Sequence, residues 1–133
     1  MSLVSRSLIL NVPAVDVWSA IGDFQALDSW HPAVQDSSAE SKDGAELRHL
    51  DLGGGAVIVE KLLGVDGMSY AYEILSGPLP VSDYRSIISV SDTGGSSILT
   101  WSATFEPAGD GAEDAIAGVY EAGFGALKDR FGA

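Results

Sequence analysis

A single long helical repeat, standing after an unbroken succession of strand patterns, limits the possible folds of this chain more than any other feature. In the stretch 110–131 (DGAEDAIAGVYEAGFGALKDRF), Ile116, Tyr120, Phe124 (or Gly123), Leu127 and Phe131 recur every three or four residues and share one helical face. Asp110, Glu113 and Asp114 open the repeat and Lys128 and Arg130 close it, as the helix dipole favours. Gly132 follows as a stop. Gly118, Gly123 and Gly125 lie inside it, each costing roughly 1 kcal/mol relative to alanine. Either the helix backbone packs closely on a sheet, or the glycines leave room for a ligand between the two.

The upstream chain supplies that sheet. Residues 3–12 read as a first strand. Pro13 breaks it and can open a helix, predicted over 14–24 with Val17, Ile21 and Phe24 on one face. A further helical turn at 27–30 ends at His31-Pro32, because the residue before proline leaves the helical region. Strand patterns follow at 34–42, 46–52, 56–65, 68–76, 84–92 and 97–105. Asp43-Gly44, Gly53-Gly54-Gly55, Asp66-Gly67, Gly77-Pro78-Leu79-Pro80 and Gly94-Gly95 separate them. Turns this short pair neighbouring strands antiparallel.

Alternation gives inward sets of Met68, Tyr70, Tyr72 and Ile74; Tyr84, Ser86, Ile88 and Val90; and Leu99, Trp101, Ala103 and Phe105. Glu46, Arg48, Leu50 and Leu52 form the inward set of the 46–52 strand, with Leu47 and His49 opposing it. The order predicts an α+β fold: a curved sheet of seven antiparallel strands around one long helix, with two short helices after the first strand. No linker or repeat divides it, so residues 1–133 are expected to be a single domain.

Composition closes off several functions. Nineteen acidic residues face seven basic ones, a net charge of -12, which opposes nucleic acid and anionic membrane surfaces. No run approaches the roughly 18 apolar residues of a membrane span, and the start lacks a signal-peptide pattern. Without cysteine there is no disulfide or thiolate chemistry; a cytoplasmic location is expected. Two histidines without cysteine make a poor zinc set. Neither a nucleophile elbow nor a P-loop or dinucleotide fingerprint is present. No metal or cofactor is expected, and no feature sets an oligomeric state.

Several strings together carry a family resemblance: Pro13–Trp18 (PAVDVW) with Ile21-Gly22-Asp23-Phe24, Trp30-His31-Pro32, Gly44 with Arg48, Glu60-Lys61-Leu62 with Asp66, Tyr72–Gly77 (YEILSG), Pro80 with Asp83-Tyr84-Arg85-Ser86, and Trp101 before Phe105. They resemble the START/Bet v 1-like (SRPBCC) superfamily and its helix-grip fold, and within it bacterial polyketide cyclase/dehydrase-like proteins. The resemblance implies a deep apolar cavity between sheet and long helix, with two loops over its mouth. Plant abscisic-acid receptors are similar around Glu60 and Tyr84-Arg85-Ser86. By that similarity Gly53–Gly55 stands at their gate and Gly77–Pro80 at their latch. This chain has three glycines at the first and no His-Arg pair at the second, so hormone recognition does not carry over.

Arg48 and Glu60 are the sharpest candidates. Alternation turns Arg48 inward, and the resemblance does the same for Glu60. A buried charge is costly unless paired, so the two form either a salt bridge fixing strand register or a contact for a ligand carboxylate or carbonyl. Tyr70, Tyr72, Tyr84 and Trp101, with Leu50, Leu52, Ser86 and Phe124, are expected to line the cavity, although an aromatic stripe also serves as core. Trp18, Phe24 and Trp30 read as core and lid packing. His31, near the expected mouth, reads as an exposed loop histidine or as a general acid/base; His49 reads as solvent-facing.

The leading function is binding of a small hydrophobic or amphipathic molecule: a lipid, polyketide-like or aromatic compound. A polyketide cyclase or dehydratase using Glu60, Arg48, His31, Tyr72 and Tyr84 is the alternative, and an accessory protein of another enzyme the third. Binding is favoured because a catalytic site needs groups of opposed proton affinity around one reacting atom. Here there are candidates without such a constellation.

Overall fold

The computed structural model describes residues 1–132. Its strands are β1 (Ser2–Leu10), β2 (Asp36–Lys42), β3 (Ala45–Gly53), β4 (Ala56–Val65), β5 (Ser69–Ser76), β6 (Val81–Asp92) and β7 (Ser97–Pro107). Helix α1 (Ala14–Ile21) and a 3-10 segment (Phe24–Ser29) follow β1, and helix α2 (Ala112–Phe131) ends the chain. Among the described residues one seven-stranded sheet forms in the order β1-β7-β6-β5-β4-β3-β2, every pairing antiparallel. This is the helix-grip layout: the sheet's inner face and α2 share one core with α1 and the 3-10 segment.

Local chemistry accounts for the elements. Asp43 (φ 53°) and Gly44 (φ 78°) make a two-residue hairpin turn between β2 and β3, the left-handed geometry that matches strand twist. On α2, Ile116, Tyr120, Phe124 and Leu127 are buried as the repeat requires. Glu113 and Asp114 occupy its first turn. Gly132, in the left-handed region, caps its end by donating its N–H to Lys128 O at 2.8 Å.

The inward sets of β6 and β7 are buried throughout, as are Tyr70 and Tyr72 of β5. Some expectations need correction. β2 starts at Asp36, not Val34, because the Val34 N–H turns back to His31 O (3.2 Å) and the Gln35 N–H goes to Asp51 O (2.8 Å). Glu46 is exposed where the sheet's inner face runs out, with Gln25 Nε2 on its carboxylate at 2.9 Å, whereas its neighbour Leu47 is buried.

The three helix glycines do not share one role. A Cβ at Gly123 would lie 3.0 Å from both His31 Cδ2 and Trp30 Cζ3, and 3.2 Å from Trp101 Cζ3. Close packing therefore explains Gly123. Gly118 and Gly125 face solvent with open space around them; nothing in the structure explains them.

Candidate functional site

Between the sheet and α2 lies a cavity of about 70 Å³. Of the residues expected there, Leu50, Leu52, Glu60, Tyr72, Tyr84, Trp101 and His31 form part of its wall. Tyr70, Ser86, Arg48 and Phe124 do not, and that expectation is corrected. Tyr70 and Phe124 pack in the core, while Ser86 and Arg48 are shielded by the aromatic rings they bond to. Leu27, Val34, Ile58, Ile74, Leu79, Ile116, Val119 and Tyr120 complete most of the wall without having been singled out. For Ile74, Ile116 and Tyr120 a signal existed, since Ile74 belongs to the inward set of its strand and the other two stand on the apolar face of the helix.

Arg48 and Glu60 are opposite one another on β3 and β4. Arg48 Nε donates to Glu60 Oε1 at 2.7 Å, and Nη2 lies 2.6 Å from the same oxygen. Nη1 donates to Phe24 O (2.8 Å) and to Tyr70 Oη (3.2 Å). The guanidinium also lies 4.0 Å from the Phe24 ring centroid and 4.8 Å from that of Tyr72, adding cation–π attraction. Arg48 is fully buried and Glu60 is 5% exposed. Burial opposes the charge on Arg48, but Glu60 and the neighbouring tyrosines outweigh it and hold the guanidinium protonated. Burial pushes the Glu60 carboxyl above its ordinary value, with Arg48 pulling the other way. Every hydrogen bond that Glu60 takes from the described residues falls on Oε1.

His31 is buried, not an exposed loop residue: α2 covers the Trp-His-Pro corner. Its Nδ1 accepts the Ala33 N–H at 3.1 Å, so Nε2 carries the proton and donates it to Val119 O at 2.7 Å. Burial lowers its pKa and Arg48 lowers it further, against the pull of the Val119 carbonyl. A neutral imidazole with both nitrogens committed has no lone pair free for general-base work. His49, by contrast, lies on the outer side with Glu40 Oε1 at 2.8 Å.

The buried hydroxyls form a directed chain. Ser86 Oγ donates to Ser102 O at 2.9 Å. Its proton thus spent, Ser86 can only accept from Tyr120 Oη at 3.1 Å, and Tyr120 in turn accepts from Tyr84. Burial raises both phenols, Tyr120 to about 12, so both keep their protons at neutral pH. Separately, Trp101 Nε1 donates to Tyr72 Oη at 3.0 Å.

The two glycine loops also differ. Gly54 and Gly55 form an exposed two-residue turn, with Gly53 paired to Ala56, and none of the three touches the cavity. The expected gate is thus a tight hairpin tip. The 77–80 loop does reach inward, through Leu79. There the sheet opens: β5 and β6 pair only as far as Glu73 and Arg85. Beyond that, β5 stays with β4 and β6 with β7. A bulge at Asp83 (φ 51°) accompanies the split. A groove of about 720 Å³ fills the gap and shares Ile74, Leu79 and Tyr84 with the cavity wall.

Known proteins agree with this geometry. The family model described as polyketide cyclase/dehydrase and lipid transport matches residues 1–132. The chain is 30% identical to the protein XoxI from Bacillus cereus, whose structure superposes with a TM-score of 0.89 over 98% of this chain and 96% of that one. An uncharacterised protein from Bacillus thuringiensis is 29% identical, with a TM-score of 0.88 over 99% and 100% of the two chains. A START superfamily protein from Mycobacterium smegmatis shares the fold at 19% identity, with a TM-score of 0.78 over 97% and 96%. No curated protein matches. With strand order, grip helix and family match in agreement, the chain belongs to the polyketide cyclase/dehydrase and lipid transport family of the START/Bet v 1-like (SRPBCC) superfamily.

Proposed function

We propose that this chain is a single ligand-binding domain that holds one small hydrophobic or amphipathic molecule between the sheet and α2, in the cytoplasm of a bacterial cell. The observation that carries the reading is the largely apolar cavity between sheet and helix, with a carboxylate in its wall. At about 70 Å³ it is well short of the roughly 300–1,000 Å³ of small-molecule sites. The ligand therefore enters by displacing Leu79 and joining the cavity to the groove between β5 and β6. Leu79 sits on a loop, the class of element whose movement costs least.

Binding is preferred to catalysis because His31 is closed on both nitrogens and Glu60 alone does not make a pair of groups with opposed proton affinities. No helix among the described residues is long and apolar enough to cross a membrane, and the absence of cysteine suits a reducing compartment.

Native mass spectrometry of freshly purified protein tests the proposal. A population heavier by one small molecule, returning to the bare mass after organic extraction, is expected. Bare protein alone, with a melting temperature unmoved by a panel of apolar compounds, overturns it.

A further inference from the structure

Accounting for the polar groups around the cavity narrows the chemistry of what can fill it. The Tyr84–Tyr120–Ser86–Ser102 chain is closed, each proton having an acceptor. His31 is closed at both nitrogens. Arg48 lies outside the cavity wall; its Nε and Nη1 donate to Glu60, Phe24 and Tyr70, and Nη2, which makes no hydrogen bond, lies 2.6 Å from Glu60 Oε1, so no cation faces the void. Two capacities are left in the wall. Glu60 Oε2 takes no hydrogen bond from the described residues. Tyr72 accepts from Trp101, and its own proton has no acceptor among them. Glu60 bonds the Arg48 guanidinium and the Tyr72 ring lies 4.8 Å from it, so the two residues flank the same buried arginine. Both residues line one cavity, and buried polar groups are nearly always paired; an open acceptor and an open donor in one wall are served together by one group that both donates and accepts.

We infer that the ligand is an uncharged amphiphile headed by a hydroxyl, which donates to Glu60 Oε2 and accepts from Tyr72, with its apolar body against Leu50, Ile116 and Leu79. This deepens the binding reading and rests on it. A carboxylate head offers Glu60 no proton and meets a like charge across a short gap. The net charge of -12 adds to that repulsion. An ether accepts from Tyr72 but leaves Glu60 unserved. The fatty-acid class is excluded, and alcohols, phenols and hydroxylated rings are admitted.

Calorimetric titration of the wild-type protein with octan-1-ol, 1-methoxyoctane and octanoate separates the cases. Octan-1-ol should bind about tenfold or more tighter than the ether, the worth of a hydrogen bond to a charged group, and octanoate weakest of the three. Glu60→Gln should let octanoate gain on octan-1-ol; where that variant does not fold, the wild-type ranking decides alone. Ether or octanoate binding as tightly as octan-1-ol, as it would if water served Glu60, overturns this inference and leaves cavity binding intact. Binding of none of the three overturns both.

Discussion

Two buried titratable side chains stand in the wall of the same cavity, and they are finished to different degrees. His31 has every hydrogen-bonding atom committed to backbone, at Val119 and Ala33. Glu60 has one oxygen committed to Arg48 and one uncommitted. In the sequence each admits a structural and a chemical reading. A saturated polar group fixes structure, whereas a half-saturated one facing a cavity is where a ligand gains most, by supplying the missing partner.

The largest effect should come from breaking the Glu60 side of this contrast. Arg48→Met leaves a buried carboxylate without its partner and should cost about 3–5 kcal/mol by urea denaturation. Replacing both, as Arg48→Met with Glu60→Leu, should recover most of that loss while abolishing ligand binding. A single variant as stable as the double would show that the pair is not coupled.

The His31 side is sharpened by glycines on α2. Gly123→Ala drives a methyl into His31 and Trp30 at 3.0 Å and should destabilise by about 1–3 kcal/mol. Gly118→Ala meets nothing and should stabilise by roughly 1 kcal/mol through helix propensity. Opposite signs on one helix, read from the two melting temperatures, are the expected outcome; equal signs would mean that the Trp-His corner is not seated on Gly123.

The smallest effect is a pH dependence. The folded pKa of His31 lies below its ordinary value, so the unfolded chain binds a proton more readily than the native one. The stability that neutral His31 contributes is present above about pH 6.5, the unfolded value, and is lost as pH falls below it toward the folded pKa. Because the raised Glu60 carboxyl works in the opposite sense in both proteins, the difference is the readout: between pH 7.5 and 5.5 wild-type protein should lose stability relative to His31→Gln. Identical slopes would place the titration elsewhere.

Most of the fold was readable because strand alternation reports burial directly: Tyr84, Ser86, Ile88 and Val90 all point inward as their spacing says. The misread positions are those where tertiary contacts override period, as at Glu46, which lies beyond the core, and Val34, turned by a bond to His31. The site was less legible. Leu50, Tyr72 and Trp101 followed from facing the core, but facing the core does not separate a wall residue such as Tyr72 from a packed one such as Tyr70, two positions away on the same face. That depends on where packing stops. His31 misled because a Trp-His-Pro corner carries no mark of the helix that covers it, and Leu79 was hidden in a loop with no period to read.

Intermolecular NOEs between octan-1-ol and isotope-labelled protein test the central claim, that the open end of the Glu60–Tyr72 wall receives a ligand head inside the grip of α2. The carbinol protons should show NOEs to the Tyr72 ring and the chain methyl to Leu79 or Leu52. NOEs confined to the outer face of the sheet, at Ile87 or Leu63, would contradict it.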